Sequence, residues 1–372
     1  MTPPSAEQNR DSPGTEEPLL RVEGLRKYFP VKSSSLFRRS DAVVHAVDGV
    51  DLEVLRGETL GLVGETGCGK STLARCVARL YDLTEGTITF NGQDISRLGR
   101  RQMRSLRREI QVIFQDPFGS LNPRRRVGSI IGDPFVIHNI GDSKAERKKM
   151  VQDLMELVGL NPEHYNRFPQ DFSGGQRQRI GAARALALRP RLLICDEPVS
   201  ALDVSIQAQL INLLADLQDE LDLTYIFITH DLSVVRHVSD RIAVMYLGKV
   251  AETAPVEELF ETTRHPYTRA LLSAVPVADP DLSDSRDRIV LAGDMPTPVA
   301  PPSGCRFHTR CPKAQPACVT TEPPLEPVLG DADSHQTACL YPLEVGEDLS
   351  KATANVADSE IGADQQATGA AS

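Results

Sequence analysis

A glycine-rich loop provides the first group of residues whose types and spacing predict chemistry. The segment GETGCGKST at 64–72 follows an apolar stretch and opens a helical pattern. In such a loop successive backbone N–H groups bind phosphates at the positive end of a helix, Lys70 reaches the β- and γ-phosphates, and the Ser71 hydroxyl ligates Mg²⁺. We therefore predict a nucleoside triphosphate site. Its contacting residues are Gly64, Glu65, Thr66, Gly67, Cys68, Gly69, Lys70, Ser71 and Thr72.

Two acids and a histidine follow further apolar stretches. Asp196 and Glu197 come directly after LLIC, and His230 comes after TYIFIT. Asp196 is predicted to hold Mg²⁺ directly or through water, and Glu197 to orient and deprotonate the attacking water. A lone histidine is more often structural, but ligands collect where parallel strands end, which favours a catalytic role for His230.

Buried strands alternating with helices must position these groups. The stretches 59–64, 191–198 and 224–231 are apolar almost throughout, which is typical of strands covered on both faces. Helical periodicity separates them, so the pattern predicts an α/β fold with a mostly parallel sheet. The segment 241–252 predicts a hairpin with Gly248-Lys249 as its two-residue turn.

Three segments differ from this parallel core. Residues 50–54 alternate apolar and acidic side chains, as in a half-buried antiparallel strand. Residues from about 116 to 175 carry helical patterns without buried strands, which indicates a helical insertion in a main domain at 19–272. At 273–345 the chain is rich in proline and loses its periodicity. We predict there a small irregular module that depends on something other than a large apolar core.

The charge of the chain is concentrated in its tails. The net charge is -10, but residues 1–18 carry four acids and one arginine, and residues 344–372 carry six acids and one lysine. The remainder is close to neutral, which argues against a nucleic-acid binder. Tails at 1–18 and 346–372 are predicted to be disordered. Neither a long apolar stretch nor a secretory signal is visible, so we expect a cytosolic chain.

Four of the seven cysteines lie close together near the C-terminal end. They are separated by five, six and twenty residues, so the paired spacing of zinc sites and the ferredoxin run are both absent. A disulfide is not expected in a reducing compartment, which leaves a cluster, zinc and free thiols open. We expect the phosphate site to lie in another module. The four residues are Cys305, Cys311, Cys318 and Cys339.

The segment FSGGQRQRIGAARAL at 172–186 and SALD at 200–203, taken with the preceding motifs in this order, resemble the nucleotide-binding subunit of an ABC transporter. The resemblance implies that two subunits enclose two ATP molecules, with the serine and glycines binding the γ-phosphate held on the opposite subunit. It also implies that Gln115 senses Mg²⁺ and meets the membrane partner, that Asp203 bridges the dimer and that Phe29 stacks on adenine. The γ-phosphate residues are Ser173, Gly174, Gly175 and Gln176.

Three further motifs resemble the ATPase subunits of dipeptide and oligopeptide importers, and nickel importers are similar. They are QDPFGSLNPRR at 115–125, HPYT at 265–268 and GCRFHTRCP at 304–312. The resemblance implies ATP and Mg²⁺ as cofactors and a [4Fe–4S] cluster on the four cysteines. It implies as partners two transmembrane permease subunits, a second ATPase subunit and an extracytoplasmic substrate-binding protein, with this chain on the cytoplasmic face of the membrane.

ABC ATPases that act on DNA or ribosomes are the competing class. Members of that class carry a long coiled coil within the ATPase or two ATPase halves. Here Gln115 and Ser173 are 58 residues apart and the chain has one phosphate loop, so neither pattern fits. The arginines at 97–108 favour a solvated helix face over a nucleic-acid patch, because they recur every three or four residues with Glu109 alongside.

Overall fold

The computed structural model describes residues 17–31, 42–200, 202–275, 289–291 and 293–349. Most of the two predicted tails therefore lies outside the described residues. Residues 346–349, which we assigned to the second tail, are packed onto the C-terminal module. Leu349 is buried there, and Glu347 forms an ion pair with Lys313 at 2.8 Å.

The described strands form two sheets. Among the described residues, a four-stranded antiparallel sheet has the order β2-β1-β4-β5 and a second sheet has the order β11-β12-β10-β9-β3-β8-β7-β6. The strands are β1 (Leu20–Pro30), β2 (Val43–Val54), β3 (Thr59–Val63), β4 (Glu85–Phe90), β5 (Gln93–Asp94), β6 (Ile110–Ile113), β7 (Leu192–Asp196), β8 (Thr224–Ile228), β9 (Arg241–Tyr246), β10 (Lys249–Pro255), β11 (Glu326–Pro327) and β12 (Gln336–Thr337).

The five strands β6, β7, β8, β3 and β9 are parallel to their neighbours, and β10 turns back antiparallel to β9. Every residue of β3, β7 and β8 is buried, as continuous apolar patterns predict for strands covered on both faces. In β2 the apolar residues Val50, Leu52 and Val54 are buried while Asp51 and Glu53 are exposed, and the strand pairs antiparallel with β1. The predicted α/β fold is confirmed.

The described part of the chain also contains α-helices. They are α1 (Lys70–Val77), α2 (Arg100–Glu109), α3 (Pro117–Ser120), α4 (Val127–Ile137), α5 (Lys144–Leu157), α6 (Gly174–Leu186), α7 (Val204–Leu221), α8 (Leu232–Val238), α9 (Val256–Glu261), α10 (Pro266–Ser273) and α11 (Pro316–Thr320). Apolar side chains of α4, α5 and α6 meet in one core cluster that includes Ile131, Met155 and Ile180. None of the described helices is long and apolar enough to cross a membrane.

The turn of the predicted hairpin is displaced by one residue. Tyr246 pairs with Lys249, so the two turn residues are Leu247 and Gly248 rather than Gly248 and Lys249. Both have positive φ, 44° and 84°, as the two-residue turn that matches strand twist requires. Leu247 adopts this unusual conformation because its side chain is buried in the core, and Lys249 is left to extend the ladder.

Candidate nucleotide-binding site

The phosphate loop is shaped by its surroundings as much as by its glycines. It connects β3 to α1, and Gly64 and Gly69 have φ of 147° and 113°. A Cβ at Gly64 would lie 2.2 Å from the Met245 carbonyl oxygen, and one at Gly69 would lie 2.2 Å from that of Ala46. Only glycine fits either position, since both contacts are with backbone.

Lys70 lies folded into this loop. Its Nζ donates to the carbonyl oxygens of Gly64 at 2.7 Å and Glu65 at 3.0 Å, and the side chain is buried. A buried ammonium held by two backbone oxygens is ready to exchange them for phosphate oxygens. Cys68 is also buried, which raises the pKa of its thiol despite the nearby Lys70. This supports the interpretation of Cys68 as an unreactive small side chain.

The carboxyl end of β7 meets the start of α1. The Ser71 hydroxyl donates to Asp196 Oδ1 at 2.7 Å, and Asp196 is 2% exposed. Burial raises the pKa of Asp196, while the Ser71 hydrogen bond and the charge of Arg75 oppose the rise. Two oxygen donors side by side, one of them a buried carboxylate, have the chemistry that Mg²⁺ requires. The site therefore fits that cation.

Glu197 lies next to two other predicted site residues, Gln115 and His230. Gln115 Nε2 donates to Glu197 Oε2 at 2.6 Å, and His230 Nδ1 lies 3.5 Å from Glu197 Oε1. Glu197 has φ of 48°, a strained conformation for a residue with a side chain. The main chain is held there by the Glu197 N–H, which donates to the carbonyl oxygen of Ile228 at 2.9 Å. This backbone conformation places the Glu197 carboxylate between Gln115 and His230.

A cavity of about 650 Å³ opens above the loop and the strand ends. It is lined by ten of the predicted site residues, and by four that sequence analysis missed. The predicted ones are Phe29, Thr66, Gly67, Gly69, Lys70, Ser71, Thr72, Gln115, Glu197 and His230. The missed ones are Val44, Ala46, Ser200 and Pro298. Ser200 lies in the SALD motif, but no sequence signal connects Val44, Ala46 or Pro298 with nucleotide.

The two neighbouring aromatic residues of β1 differ in their surroundings. Phe29 lines the cavity, with its ring against Tyr81 and the Lys27 ammonium. The Tyr28 hydroxyl instead donates to Asp48, which turns that side chain away from the cavity wall. The placement supports Phe29 as the residue that stacks on adenine.

The serine–glycine segment lies outside this cavity. Ser173 caps α6, with its hydroxyl accepting from the Gln176 N–H at 3.3 Å while Gln176 Oε1 accepts from the Ser173 N–H at 3.0 Å. Gly175 packs so closely on Ile206 that a Cβ would lie 2.3 Å from it. Gly174 begins the helix, and Asp203 is exposed at the start of α7. None of these five residues lines the cavity of their own subunit.

The four C-terminal cysteines line one small cavity. Burial raises the pKa of Cys311 and Cys339 to about 12 each and also raises that of Cys305, and the neighbouring thiols of the set add to each rise. Within the described part of the chain, no three or more His, Cys, Asp or Glu side chains are grouped to hold a single metal ion. The thiols thus face a common space without the spacing of a one-ion site.

The cysteine module contacts the phosphate loop. Arg310, one residue before Cys311, forms an ion pair with Glu65 at 3.0 Å. The carbonyl oxygen of Pro298 accepts from the His45 N–H at 2.9 Å, which brings Pro298 to the cavity. These contacts join parts of the chain that are far apart in sequence, so composition did not reveal them.

A larger cleft, of about 810 Å³, lies between β2, β10 and the C-terminal module. Cys305 is the one predicted site residue that lines it. Its wall mixes basic and acidic side chains, and Arg241–Glu58 and Lys249–Glu322 pair at its rim. Because the phosphate loop and the strand ends line the smaller cavity, that cavity is the candidate nucleotide site.

Comparison with known proteins agrees with this geometry. The ABC transporter family model matches residues 47–200, and the model for the oligopeptide/dipeptide transporter C-terminal region matches residues 251–318. The ATP-binding cassette MJ0796, in its dimeric post-hydrolysis state with ADP and Pi, has a TM-score of 0.57 and 27% identity over 64% of this chain and 98% of that one. CbiO1 from Clostridium perfringens, part of an ABC transporter complex, has a TM-score of 0.57 and 29% identity over 66% of this chain and 92% of that one.

Two relatives align over nearly their full lengths. The oligopeptide transport ATP-binding protein AppF of Bacillus subtilis is 55% identical over 328 residues, which is 88% of this chain and 98% of AppF. OppF of Haemophilus influenzae, with the same description, is 50% identical over 87% of this chain and 97% of OppF. Fold and site thus define an ATPase of the ATP-binding cassette class. Within that class, the chain belongs to the ABC transporter family, in the group that carries the oligopeptide/dipeptide transporter C-terminal region.

Proposed function

We propose that this chain hydrolyses ATP to power the import of oligopeptides through an ABC transporter. The observation that carries the proposal is the match to oligopeptide transport ATP-binding proteins at 50–55% identity over almost their whole length, C-terminal region included. Nickel import, the alternative left by the sequence motifs, has no comparable support among these relatives.

At the nucleotide site each residue has a proposed role. Lys70 leaves the Gly64 and Glu65 carbonyl oxygens and binds the β- and γ-phosphates, while the loop N–H groups bind the remaining phosphate oxygens. Ser71, Asp196 and Gln115 are the residues that would hold Mg²⁺, which would neutralise phosphate charge. Phe29 stacks on the adenine ring.

Hydrolysis is assigned to Glu197. Its carboxylate lies in the cavity, where it accepts the proton of an attacking water. The Gln115 amide fixes one carboxylate oxygen through the bond at 2.6 Å, and His230 lies beside the other. His230 is placed to hold the transferred phosphoryl group by hydrogen bonding, since its ring lines the same cavity.

A second ATPase subunit completes the site in this proposal. Ser173 and Gln176 are exposed at the start of α6, and Asp203 is exposed at the start of α7, away from the cavity of their own subunit. The N–H groups at the start of α6 bind the γ-phosphate of the opposite subunit. Gly174 and Gly175 allow that close approach, and Asp203 contacts the partner.

The proposed assembly places the chain at the cytoplasmic face of the membrane. Two transmembrane permease subunits contact it through the loop that follows Gln115, and an extracytoplasmic binding protein delivers the peptide. Because Gln115 contacts Glu197 directly, closure of the ATPase pair and movement of this loop are linked.

We also propose that the four cysteines bind a [4Fe–4S] cluster. Four soft ligands line one cavity, which is the ligand type and number that such a cluster requires. In a cluster each thiolate binds a different iron, so its ligands need not be grouped around one ion, unlike those of zinc. Lys313 lines the same cavity and can offset thiolate charge.

The test is reconstitution of the whole transporter in lipid vesicles. A peptide mixture presented with the binding protein should stimulate ATP hydrolysis by this chain, and the peptide should accumulate inside the vesicles. Stimulation by Ni²⁺ alone would replace the substrate assignment. Failure of the chain to bind permease subunits, together with binding to ribosomes or DNA, would contradict the transporter proposal.

A further inference from the structure

One ion pair joins the cysteine module to the phosphate loop. Arg310 Nη1 donates to both carboxylate oxygens of Glu65, at 3.1 and 3.0 Å. Arg310 lies in the short turn His308–Arg310 between Cys305 and Cys311. The Arg310 side chain is 10% exposed and that of Glu65 is 28% exposed, so water screens this pair less than a surface pair.

Glu65 is held at its backbone as well as its side chain. Its N–H donates to the Tyr267 hydroxyl at 2.9 Å, and its carbonyl oxygen accepts from Lys70 Nζ at 3.0 Å and from the Cys68 N–H at 3.3 Å. The residue therefore lies inside the network that fixes Lys70. Its carboxylate is a negative charge built into a loop that has to bind negatively charged phosphates.

The other polar neighbour of Arg310 is the hydroxyl of Tyr246, which is a neutral group and does not compensate the guanidinium charge. In the described part of the chain, Glu65 is the acid that forms an ion pair with Arg310. Without Arg310 the carboxylate would be uncompensated, since the Lys70 ammonium is needed at the phosphates.

We propose that Arg310 is a positioning residue for ATP binding: it holds the Glu65 carboxylate away from the phosphates and neutralises its charge. The C-terminal module thereby contributes to nucleotide affinity as well as to stability. This inference rests on the proposed role of residues 64–72 as the phosphate site.

Nucleotide binding to the full-length chain tests the inference. Arg310→Met should raise the Kd and the KM for ATP by about tenfold, the size of one charge-assisted hydrogen bond, with kcat little changed. The Kd for AMP should change less, because repulsion grows with phosphate charge. Arg310→Lys, which keeps the charge, should lie between the wild type and Arg310→Met.

The charge of Glu65 provides the decisive comparison. In the double variant with Arg310→Met, Glu65→Gln should bring the Kd for ATP to within about twofold of that of Glu65→Gln alone, because no uncompensated charge is left. Arg264→Met is the matched control, because Arg264 of the main domain forms a similarly buried ion pair with Asp331 of the module, away from the loop. It should lower the thermal midpoint and leave the Kd for ATP unchanged.

The possible failures are distinguishable. If Arg310→Met loses thermal stability like Arg264→Met but binds ATP normally, Arg310 only fastens the module and the inference is wrong. Weakening by Glu65→Gln equal to that by Arg310→Met would also overturn it, because charge would not be the cause. If the wild-type chain does not bind ATP, the proposed phosphate site itself fails. Should Arg310→Met not fold, Arg310→Gln and Glu65→Gln carry the same comparison.

Discussion

The nucleotide site and the C-terminal module position their functional groups by opposite means. At the nucleotide site, the fully buried strands β3, β7 and β8 end side by side, and residues at those ends and in the phosphate loop line the cavity. The C-terminal module has a small apolar core, and long side chains connect it to the rest of the chain. Ion pairs that make this connection include Arg264–Asp331, Arg306–Asp48, Arg310–Glu65 and Lys249–Glu322.

The difference shows where each region takes its rigidity. Strand ends are fixed by the core of the main domain, and the phosphate loop is held between its glycines and the backbone of Ala46 and Met245 that packs against them. The module is fixed by charged pairs and by the aromatic contact of Phe307 with Tyr246 and Tyr267, at 5.2 and 5.4 Å between ring centroids. Substitutions in the first region should therefore change chemistry, and those in the second should change stability and, through Glu65, affinity.

Removing the carboxylate of Glu197 should have the largest effect. Glu197→Gln keeps the shape and a hydrogen-bonding oxygen but removes the base, so ATP turnover should fall by about 10²–10⁴-fold while ATP still binds. Turnover and retained nucleotide would be measured on the same preparation. Asp219→Asn, an exposed acid on α7, is the control. Normal turnover in Glu197→Gln would show that the base lies elsewhere.

Loss of the Lys70 ammonium should affect binding first. Lys70→Ala deletes a buried charge that faces the phosphates, so the Kd for ATP should rise by about 10- to 100-fold. Equilibrium binding of a fluorescent ATP analogue measures this. The exposed Lys149 of α5 offers a control substitution to alanine, which should bind normally. Equal affinity of the two variants would remove Lys70 from the site.

Changing one cysteine of the module tests how strongly the two regions are coupled. Cys311→Ser should lower the iron content from about four per chain, because one ligand of the proposed cluster is lost. The thermal midpoint should fall as well, since metal binding contributes to folding. We also expect a rise of a few-fold in the KM for ATP through Arg310, far below the effect of Glu197→Gln.

The matched control for this substitution is Cys76→Ser. Cys76 is buried in α1 of the main domain, so its substitution should cost stability without changing iron content. Anaerobically purified protein with one zinc, or without metal, would contradict the cluster proposal. An unchanged KM in Cys311→Ser that has lost its iron would show that the coupling is weak.

His265 lies where the two regions meet and should give the smallest effect. Burial lowers its pKa to about 4 from an ordinary 6.5. Below pH 6.5 His265 is protonated in the unfolded chain but stays neutral in the folded chain. The free energy of unfolding therefore falls as the pH drops towards 4. At pH 5 this loss amounts to about 2 kcal/mol.

The thermal midpoint at pH 7.5 and pH 5 measures this dependence. His265→Asn should lose less stability on acidification, because asparagine does not titrate. Its side-chain oxygen can still accept from the Tyr267 N–H, as His265 Nδ1 does at 3.1 Å. His237→Asn, at an exposed site of α8, should behave like the wild type. If His265→Asn shows the full wild-type pH dependence, other groups cause it.

The features that the sequence predicted best are those set by a short run of neighbouring residues. Apolar runs located β3, β7 and β8, and glycine spacing located the phosphate loop, because both are set by neighbouring residues. The turn of the hairpin was misplaced by one position, since the burial of Leu247 overrides its backbone preference. Pro298 at the cavity was not predicted, because the chain brings it there from a segment without periodicity.

The ion pairs of the C-terminal module were equally hidden. Arg310 and Glu65 are 245 residues apart, and Arg306 and Asp48 are 258 apart. No local pattern records such a contact, because any arginine of the module is chemically able to pair with any exposed acid. The sequence therefore did not reveal that the module contacts the phosphate loop.

The short strand β12 has a consequence for versions of this protein that end near residue 275. β12 covers β10 by pairing Thr337 with Glu252 and Gln336 with Thr253. Without it, β10 presents unpaired N–H and C=O groups along an open edge, which is a template for joining a second copy. Glu252, fully buried, would also lose the His335 ring at 2.8 Å. Such a shortened chain should therefore be more prone to edge-to-edge aggregation, because β12 no longer covers Glu252 and Thr253 of β10.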